Sequence, residues 1–203
     1  MRALTRAALA AALGVAFIAH LAARAPDATR LADALGLRAG MVVADVGAGA
    51  GEWTVALAPL LQPGGRVFAT EINAGHLATI RRAAEDAGLA NVTLVEARAD
   101  DTGLPDACCD AAFLRYVYHH LTDPDATLAS LARALKPGGQ LAVIDFEASS
   151  GGAPAGVPDD RGGHGMPVAL LEEELRRAGF VAVHTTHGWS GRDYLVVARR
   201  RLR

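Results

Sequence analysis

Apolar and polar residues follow two different periods along this chain, and together they predict strands interleaved with helices. Short continuous apolar runs such as 41–46 are typical of strands buried on both faces, whereas 73–88 has helical spacing between a candidate N-cap, Asn73, and a glycine stop. The other predicted helices are 31–37, 53–61, 124–135 and 168–178, and the other predicted strands are 66–70, 92–96, 110–114, 140–145, 180–184 and 194–198. This order predicts an α/β fold in which seven strands form a mostly parallel sheet with the last strand antiparallel and helices on both faces.

The first 25 residues have a different character from the rest. Arg2 and Arg6 precede an apolar run over 7–23 that only His20 interrupts. A basic start, an apolar stretch and small residues after it are typical of a signal peptide. We therefore predict an apolar N-terminal signal or anchor segment over 1–25 and one domain over 26–203. A cleaved signal, an uncleaved membrane anchor and a helix that caps the domain all remain open, and so does a membrane, exported or cytoplasmic location.

Composition limits the partners of this domain. The 203 residues are 51% hydrophobic and carry a formal net charge of -2, with acidic and basic residues interspersed. No block of Lys and Arg marks a nucleic-acid groove, so we predict no nucleic-acid partner. The two cysteines are adjacent, and no histidine–cysteine spacing is typical of a metal site, so we predict no metal.

A glycine-rich turn follows the first predicted strand and opens a helix. The glycines at 47, 49 and 51 allow a tight turn and let a ligand approach the backbone. Glu71 ends the second predicted strand, where a carboxylate can accept the hydroxyls of a ribose. The turn and the acid together predict a nucleoside site at the carboxyl ends of the strands.

The spacing of the turn disfavours a dinucleotide. A dinucleotide turn has its third glycine where this chain has Glu52, and that carboxylate would repel a pyrophosphate at the helix N-terminus. S-adenosylmethionine contains no phosphate and carries an ammonium and a sulfonium, so nearby acids suit it. We therefore predict S-adenosyl-L-methionine as the cofactor.

At these motifs the chain resembles the class I S-adenosylmethionine-dependent methyltransferases. VADVGAGAG resembles the first motif of that family, ATEIN its ribose-binding acid, ARADDTGLPDACCDAAF its adenine-side stretch and LKPGGQLAVIDF its fifth strand. The resemblance implies a Rossmann-like fold and the following cofactor-binding residues: Asp45, Gly47, Ala48, Gly49, Gly51, Glu71, Ile72, Asp100, Asp101 and Arg115. Ala99 stands where the family usually has glycine. YVYHHL and RGGHGMP also resemble a bacterial methyltransferase-like subgroup with an N-terminal signal.

The candidate catalytic residues lie in two places. Tyr116, His119 and His120 follow the fourth predicted strand, whose end faces the ligand crevice in a parallel sheet. His164 lies among glycines in a long loop over 148–167, and Asp145 and Glu147 end the fifth predicted strand. Histidine serves as a base near neutral pH.

These residues favour a methyltransferase that transfers a methyl group to a small-molecule acceptor by in-line displacement. Two alternatives remain. One is a non-catalytic module that binds S-adenosylmethionine or another nucleoside, and the other is a nicotinamide-dependent oxidoreductase, which the glycine spacing disfavours.

Overall fold

The computed structural model describes residues 26–149, 151–158, 161 and 163–202. The predicted signal or anchor segment over 1–25 lies outside these described residues. No helix within the described ranges is both long enough and apolar enough to cross a bilayer.

The described residues form five α-helices and seven strands. The helices are α1 (Pro26–Ala34), α2 (Glu52–Leu57), α3 (Ala74–Asp86), α4 (Pro124–Ala134) and α5 (Val168–Arg177). The strands are β1 (Val42–Val46), β2 (Arg66–Glu71), β3 (Val92–Glu96), β4 (Cys109–Arg115), β5 (Leu135–Phe146), β6 (Val181–His187) and β7 (Asp193–Arg199). Short 3-10 helices over Ala58–Leu61 and Tyr118–His120 complete the chain.

All strands form one sheet in the order β3-β2-β1-β4-β5-β7-β6. The first five strands are parallel, whereas β7 runs antiparallel to both β5 and β6. The predicted α/β fold, with a Rossmann-like seven-stranded sheet and a reversed last strand, is confirmed. Since the carboxyl ends of the parallel strands meet at one edge, residues that follow β1, β2, β4 and β5 are close in space.

Side chains of the central strands alternate between two separate cores. On β1, Val43 packs with α1 and α2, whereas its neighbour Ala44 packs with α4 and α5. On β5, Ile144 joins the first core and Val143 the second. This period of two explains why the strands are almost uniformly apolar in sequence and confirms helices on both faces.

Some boundaries differ from the sequence prediction. The predicted helix over 53–61 is α only to Leu57 and continues as a 3-10 turn that contains Pro59. The predicted strand over 140–145 begins earlier, at Leu135, because residues 136–139 form a bulge between two parallel pairs, Cys109 with Leu135 and Ala111 with Gln140. Gly138 has a φ of 78° in this bulge, which a glycine adopts without strain.

Candidate active site

The glycine turn after β1 is closely packed against the segment that follows β4 and against α3. Gly47 has a φ of 70°, and a Cβ there would lie 2.7 Å from Cγ2 of Val117. Gly51 has a φ of 83°, and its Cβ would lie 2.7 Å from Cγ1 of Ile80 on α3. A side chain at either position would therefore strain the backbone and overlap a neighbour, which is why the turn requires glycine there.

Glu71 ends β2 and holds this turn in place. Its Oε2 accepts a hydrogen bond from the Gly49 N–H at 2.9 Å, and its Oε1 accepts from the N–H groups of Ile72 at 2.9 Å and Asn73 at 3.0 Å. A carboxylate has about four acceptor positions, so three backbone donors leave about one, on Oε2. One ribose hydroxyl can take that position as a charge-assisted hydrogen bond.

A cavity of about 450 Å³ opens beside Glu71, and we call it the β2 cavity. It is lined by Val46, Gly47, Thr70, Glu71, Ile72, Ala97, Arg98, Ala99, Thr102, Val117, His120, Leu121, Thr122, Thr127 and Ala155. Ile72 is 66% exposed, which is unusual for a large apolar side chain and provides an apolar plate at the cavity wall. Glu71 can accept a hydrogen bond from a sugar, and the Ile72 side chain can pack against a planar base. The cavity therefore fits a nucleoside.

Asp100 and Asp101 do not line this cavity within the described residues. The Asp100 carboxylate is exposed and lies 3.6 Å from the Arg98 side chain. Asp101 accepts hydrogen bonds from the Gly103 N–H at 2.8 Å and from Ser130 Oγ at 3.2 Å, and these bonds lower its pKa. Asp101 therefore ties its own loop to α4, and the cavity wall at this point is formed by residues 97–99 and Thr102.

A second cavity of about 300 Å³, the β1 cavity, lies on the other side of the glycine turn. It is lined by Asp45, Gly47, Ala48, Gly49, Ala50, Glu52, Trp53, Phe113, Arg115, Tyr116 and Val117. The Arg115 guanidinium lies over the Trp53 ring, 4.9 Å from its centroid. The cavity thus presents one guanidinium and one buried carboxylate, which match the carboxylate and the ammonium of an amino-acid group.

Asp45 is the buried acid of the β1 cavity. Burial raises its pKa to about 7, while the hydrogen bond from Thr54 Oγ1, 2.6 Å long, and the charge of Arg115 oppose that rise. Its charge therefore changes near neutral pH, and an ammonium bound beside it would favour the ionised form.

A third cavity of about 430 Å³, the β5 cavity, lies past Tyr116. It is lined by Tyr116, Phe146, Glu147, Ala148, Ser149, His164, Arg192 and Asp193. Tyr116 also lines the β1 cavity, so the two cavities meet at this residue. Its φ of 56° is strained for a tyrosine, and such strain is concentrated at functional sites.

Tyr116 is a hydrogen-bond donor in this structure. Its hydroxyl donates to the Asp193 carboxylate. Burial, together with that carboxylate, raises the pKa of Tyr116 to about 12, so the phenol keeps its proton at neutral pH. Of the predicted catalytic residues, Tyr116 therefore suits substrate orientation better than proton removal.

The three predicted catalytic histidines are brought together. His119 is 3% exposed, and its ring centroid lies 4.2 Å from that of His120 and 5.2 Å from that of His164. His120 lines the β2 cavity, and His164 lines the β5 cavity. Burial lowers the pKa of His120, which favours a neutral ring beside a cationic cofactor.

His164 is held by backbone bonds to the end of β5. The Ser149 N–H donates to the His164 carbonyl at 2.8 Å, and the His164 N–H donates to the Gly151 carbonyl at 3.1 Å. The long loop therefore returns to the sheet edge at this point. Within the described ranges, no group of His, Cys, Asp and Glu side chains is arranged to hold a metal ion.

Sequence reasoning missed several residues of the β5 cavity. Arg192 and Asp193 come from the start of β7, far along the chain from Tyr116, and no motif marked them. Phe146 lay inside the quoted fifth-strand motif without an assigned role, although its ring lies 5.1 Å from both His119 and His164. Only their spatial proximity identifies these residues.

The residues of the β2 and β1 cavities fit S-adenosylmethionine. Glu71 has acceptor capacity for a ribose hydroxyl, the β1 cavity offers a charge for each end of an amino-acid group, and both cavities share Gly47 and Val117. In this arrangement Glu71 and Ile72 would hold the adenosine part, and Asp45 and Arg115 the amino-acid part.

The fold and these cavities are those of a class I S-adenosylmethionine-dependent methyltransferase. A family model described as a methyltransferase domain matches residues 44–143. A solved S-adenosylmethionine-dependent methyltransferase from Aquifex aeolicus superimposes with a TM-score of 0.72 at 26% identity, covering 86% of this chain and 89% of that one.

The chain is also similar to curated enzymes of quinone biosynthesis. It is 35% identical over 115 residues to the ubiquinone/menaquinone biosynthesis C-methyltransferase UbiE of Pasteurella multocida, covering 56% of this chain and 43% of that protein. The same enzyme of Shewanella oneidensis is 37% identical over 112 residues, covering 55% of this chain and 45% of that protein. The matched part of the chain thus spans less than half the length of these relatives.

Proposed function

We propose that this protein transfers the methyl group of S-adenosylmethionine to a small-molecule acceptor bound in the β5 cavity. The observation that carries the proposal is the position of Tyr116, which lines both the β5 cavity and the β1 cavity. Because both cavities open at Tyr116, an acceptor in one and the cofactor in the other approach each other there, and in-line displacement requires of the protein mainly proximity and alignment.

In this proposal each candidate residue has one role. His164 removes a proton from the acceptor, Tyr116 orients the acceptor, and His120 keeps a neutral ring beside the cofactor. The UbiE relatives are C-methyltransferases of quinone biosynthesis, which supports hydroquinone as one acceptor to test, at a ring carbon and at oxygen, together with an amine and a thiol of similar size.

Calorimetry with S-adenosylhomocysteine and methyl transfer from labelled S-adenosylmethionine to these three acceptors test the proposal. We expect binding and transfer to at least one acceptor. Binding without transfer to any acceptor would favour a non-catalytic binding module. Thermal stabilisation by NAD alone would instead favour a nicotinamide-dependent oxidoreductase.

We also propose that the apolar segment over 1–25 brings the β5 cavity close to a membrane surface. The segment joins α1, where Asp27 accepts a hydrogen bond from Ser190 Oγ at 3.0 Å. The Ser190 carbonyl in turn accepts from the N–H of Asp193, a lining residue of the β5 cavity. Flotation of the full chain with liposomes tests this, and a Leu13→Asp/Phe17→Asp variant is expected to stay unbound.

A further inference from the structure

A buried histidine–carboxylate pair lies behind the two cavity histidines. Nδ1 of His119 lies 2.8 Å from Oδ1 and 3.0 Å from Oδ2 of Asp145, and the Asp145 side chain is fully buried at the end of β5. The carboxylate also accepts the N–H of His119 at 3.2 Å and the N–H of Phe146 at 2.9 Å. These bonds fix both the ring and the turn that carries it.

The hydrogen bond determines which nitrogen of His119 carries the hydrogen. An ionised carboxylate only accepts hydrogen bonds, so this geometry assigns the hydrogen to Nδ1 and leaves a lone pair on Nε2. The rings of His120 and His164 pack against this ring, with centroids 4.2 Å and 5.2 Å away.

His119 does not line the β5 cavity, but its neighbour His164 does. The two rings meet edge to face, with their centroids 5.2 Å apart. If His164 takes up a proton, its positive charge lies beside the His119 ring, which the hydrogen bond to Asp145 orients.

We propose that Asp145 and His119 are positioning residues that hold His164 ready to take a proton from the acceptor. The inference rests on the proposed function and adds the acceptor class to it: the acceptor atom carries a hydrogen that it must lose, as in a hydroxyl group. An amine whose nitrogen carries a free lone pair does not need to lose a proton before the transfer, so it does not need the His119–Asp145 pair at that step.

The step balances with the groups present. The acceptor O–H bond breaks, its electron pair stays on oxygen, and the proton goes to a ring nitrogen of His164. The O–C bond forms as the C–S bond breaks with its pair on sulfur, so the sulfonium becomes a neutral thioether. The imidazolium that results is stabilised through His119 by the Asp145 carboxylate.

A purely structural role explains the pair less well. Burying a carboxylate is costly unless it is well paired, and an apolar pair of the same size often serves a core as well. This carboxylate lies at the sheet edge where all three cavities open. The other titratable groups around the pair are His120, Glu147 and Tyr194, and none of them donates a hydrogen bond to Asp145 among the bonds of the described residues.

The test uses the full chain and an Asp145→Asn variant, with Asp110→Asn as the matched control. Asp110 is also a hydrogen-bonded carboxylate, bonded to Lys136 Nζ at 2.7 Å and to the Val42 N–H at 2.8 Å, but it lies at the opposite edge of the sheet. Three measurements are made: S-adenosylhomocysteine binding by calorimetry, ¹⁵N-histidine NMR of that complex, and labelled methyl transfer to hydroquinone and benzylamine across pH.

We expect S-adenosylhomocysteine to bind both variants with dissociation constants close to that of the wild type. The wild-type spectrum is expected to show His119 with its hydrogen on Nδ1, and Asp145→Asn to move it to Nε2, because the amide can donate to Nδ1. Transfer to hydroquinone is expected to fall about 100-fold in Asp145→Asn at pH 7 and to recover at the pH where hydroquinone ionises by itself. Asp110→Asn is expected to keep both the tautomer and the rate.

Each remaining outcome is decisive. If S-adenosylhomocysteine does not bind the wild type, the proposed function fails, whatever His119 does. If it binds but wild-type His119 carries its hydrogen on Nε2, or Asp145→Asn transfers at the wild-type rate with the same pH profile, the inference is overturned. If the wild type methylates no probe, the proposed function fails and the inference fails with it. If Asp145→Asn does not fold, His164→Gln takes its place, and hydroquinone transfer at the wild-type rate in that variant overturns the inference.

Discussion

Replacing Glu71 with glutamine tests the assignment of the nucleoside site most directly. The amide oxygen can keep the hydrogen bonds from Ile72 and Asn73, but the amide NH₂ then faces the Gly49 N–H and the ribose. The variant loses one charge-assisted hydrogen bond within the protein and one to the ligand. We expect the protein to lose about 1.5–3 kcal/mol of unfolding free energy, and cofactor binding to lose a similar amount.

That loss corresponds to a dissociation constant roughly 10- to 150-fold higher for S-adenosylhomocysteine. Calorimetry measures it, and urea unfolding of the ligand-free protein separates binding from stability. Glu85→Gln is the matched control, because this glutamate is exposed on α3, away from the cavities, and its replacement should change neither quantity.

One result would refute the reasoning. If folded Glu71→Gln binds S-adenosylhomocysteine within twofold of the wild type, Glu71 does not contact the ligand. Its three backbone hydrogen bonds would then account for its whole role, and the β2 cavity would need another explanation.

Three further predictions concern the turn, the buried acid and the loop. Gly47→Ala should lose about 2 kcal/mol or more in urea unfolding, because a positive φ costs 1–2 kcal/mol and its Cβ would overlap Val117, whereas Gly49→Ala meets no atom within 4 Å and should lose less. For Asp45, the folded-state pKa of about 7 lies above the ordinary value near 4, so the wild type should lose stability relative to Asp45→Asn as pH rises from about 4 to about 7, and thermal unfolding across pH measures this. Arg161→Met should lose about 3–5 kcal/mol, because it leaves the Glu174 carboxylate buried without its cation, and adding Glu174→Gln should restore part of the loss.

Each of these has a contradicting result. Equal losses for the two glycine variants would mean that contact with Val117 is unimportant. A constant difference between wild type and Asp45→Asn across pH would exclude titration of that acid in this range. If Arg161→Met lost less than about 1 kcal/mol of unfolding free energy, the Arg161–Glu174 ion pair would be as weak as a solvated surface pair.

The sequence alone determined the fold class, and it predicted the glycine turn and Glu71 as parts of a nucleoside site but not the wall that residues 97–99 and Thr102 form in place of Asp100 and Asp101. Strand and helix periods give the order of elements, and parallel strands place their carboxyl ends at one edge, so the glycine turn and Glu71 had to meet. The glycine turn and the acid at the end of β2 are each local features, because each depends on residues within one strand–turn–helix unit. The cofactor could therefore be predicted from motifs and charge.

Only the tertiary structure decided the β5 cavity and the histidine arrangement. His119, His164 and Asp145 come from three different segments, and which ring is buried depends on the 3-10 turn at Tyr118–His120 and on the backbone bridge between Ser149 and His164. Likewise, Arg192 and Asp193 reach Tyr116 because β7 pairs with β5 in reverse. Contacts between distant segments are set by packing, which leaves no period or spacing in the sequence.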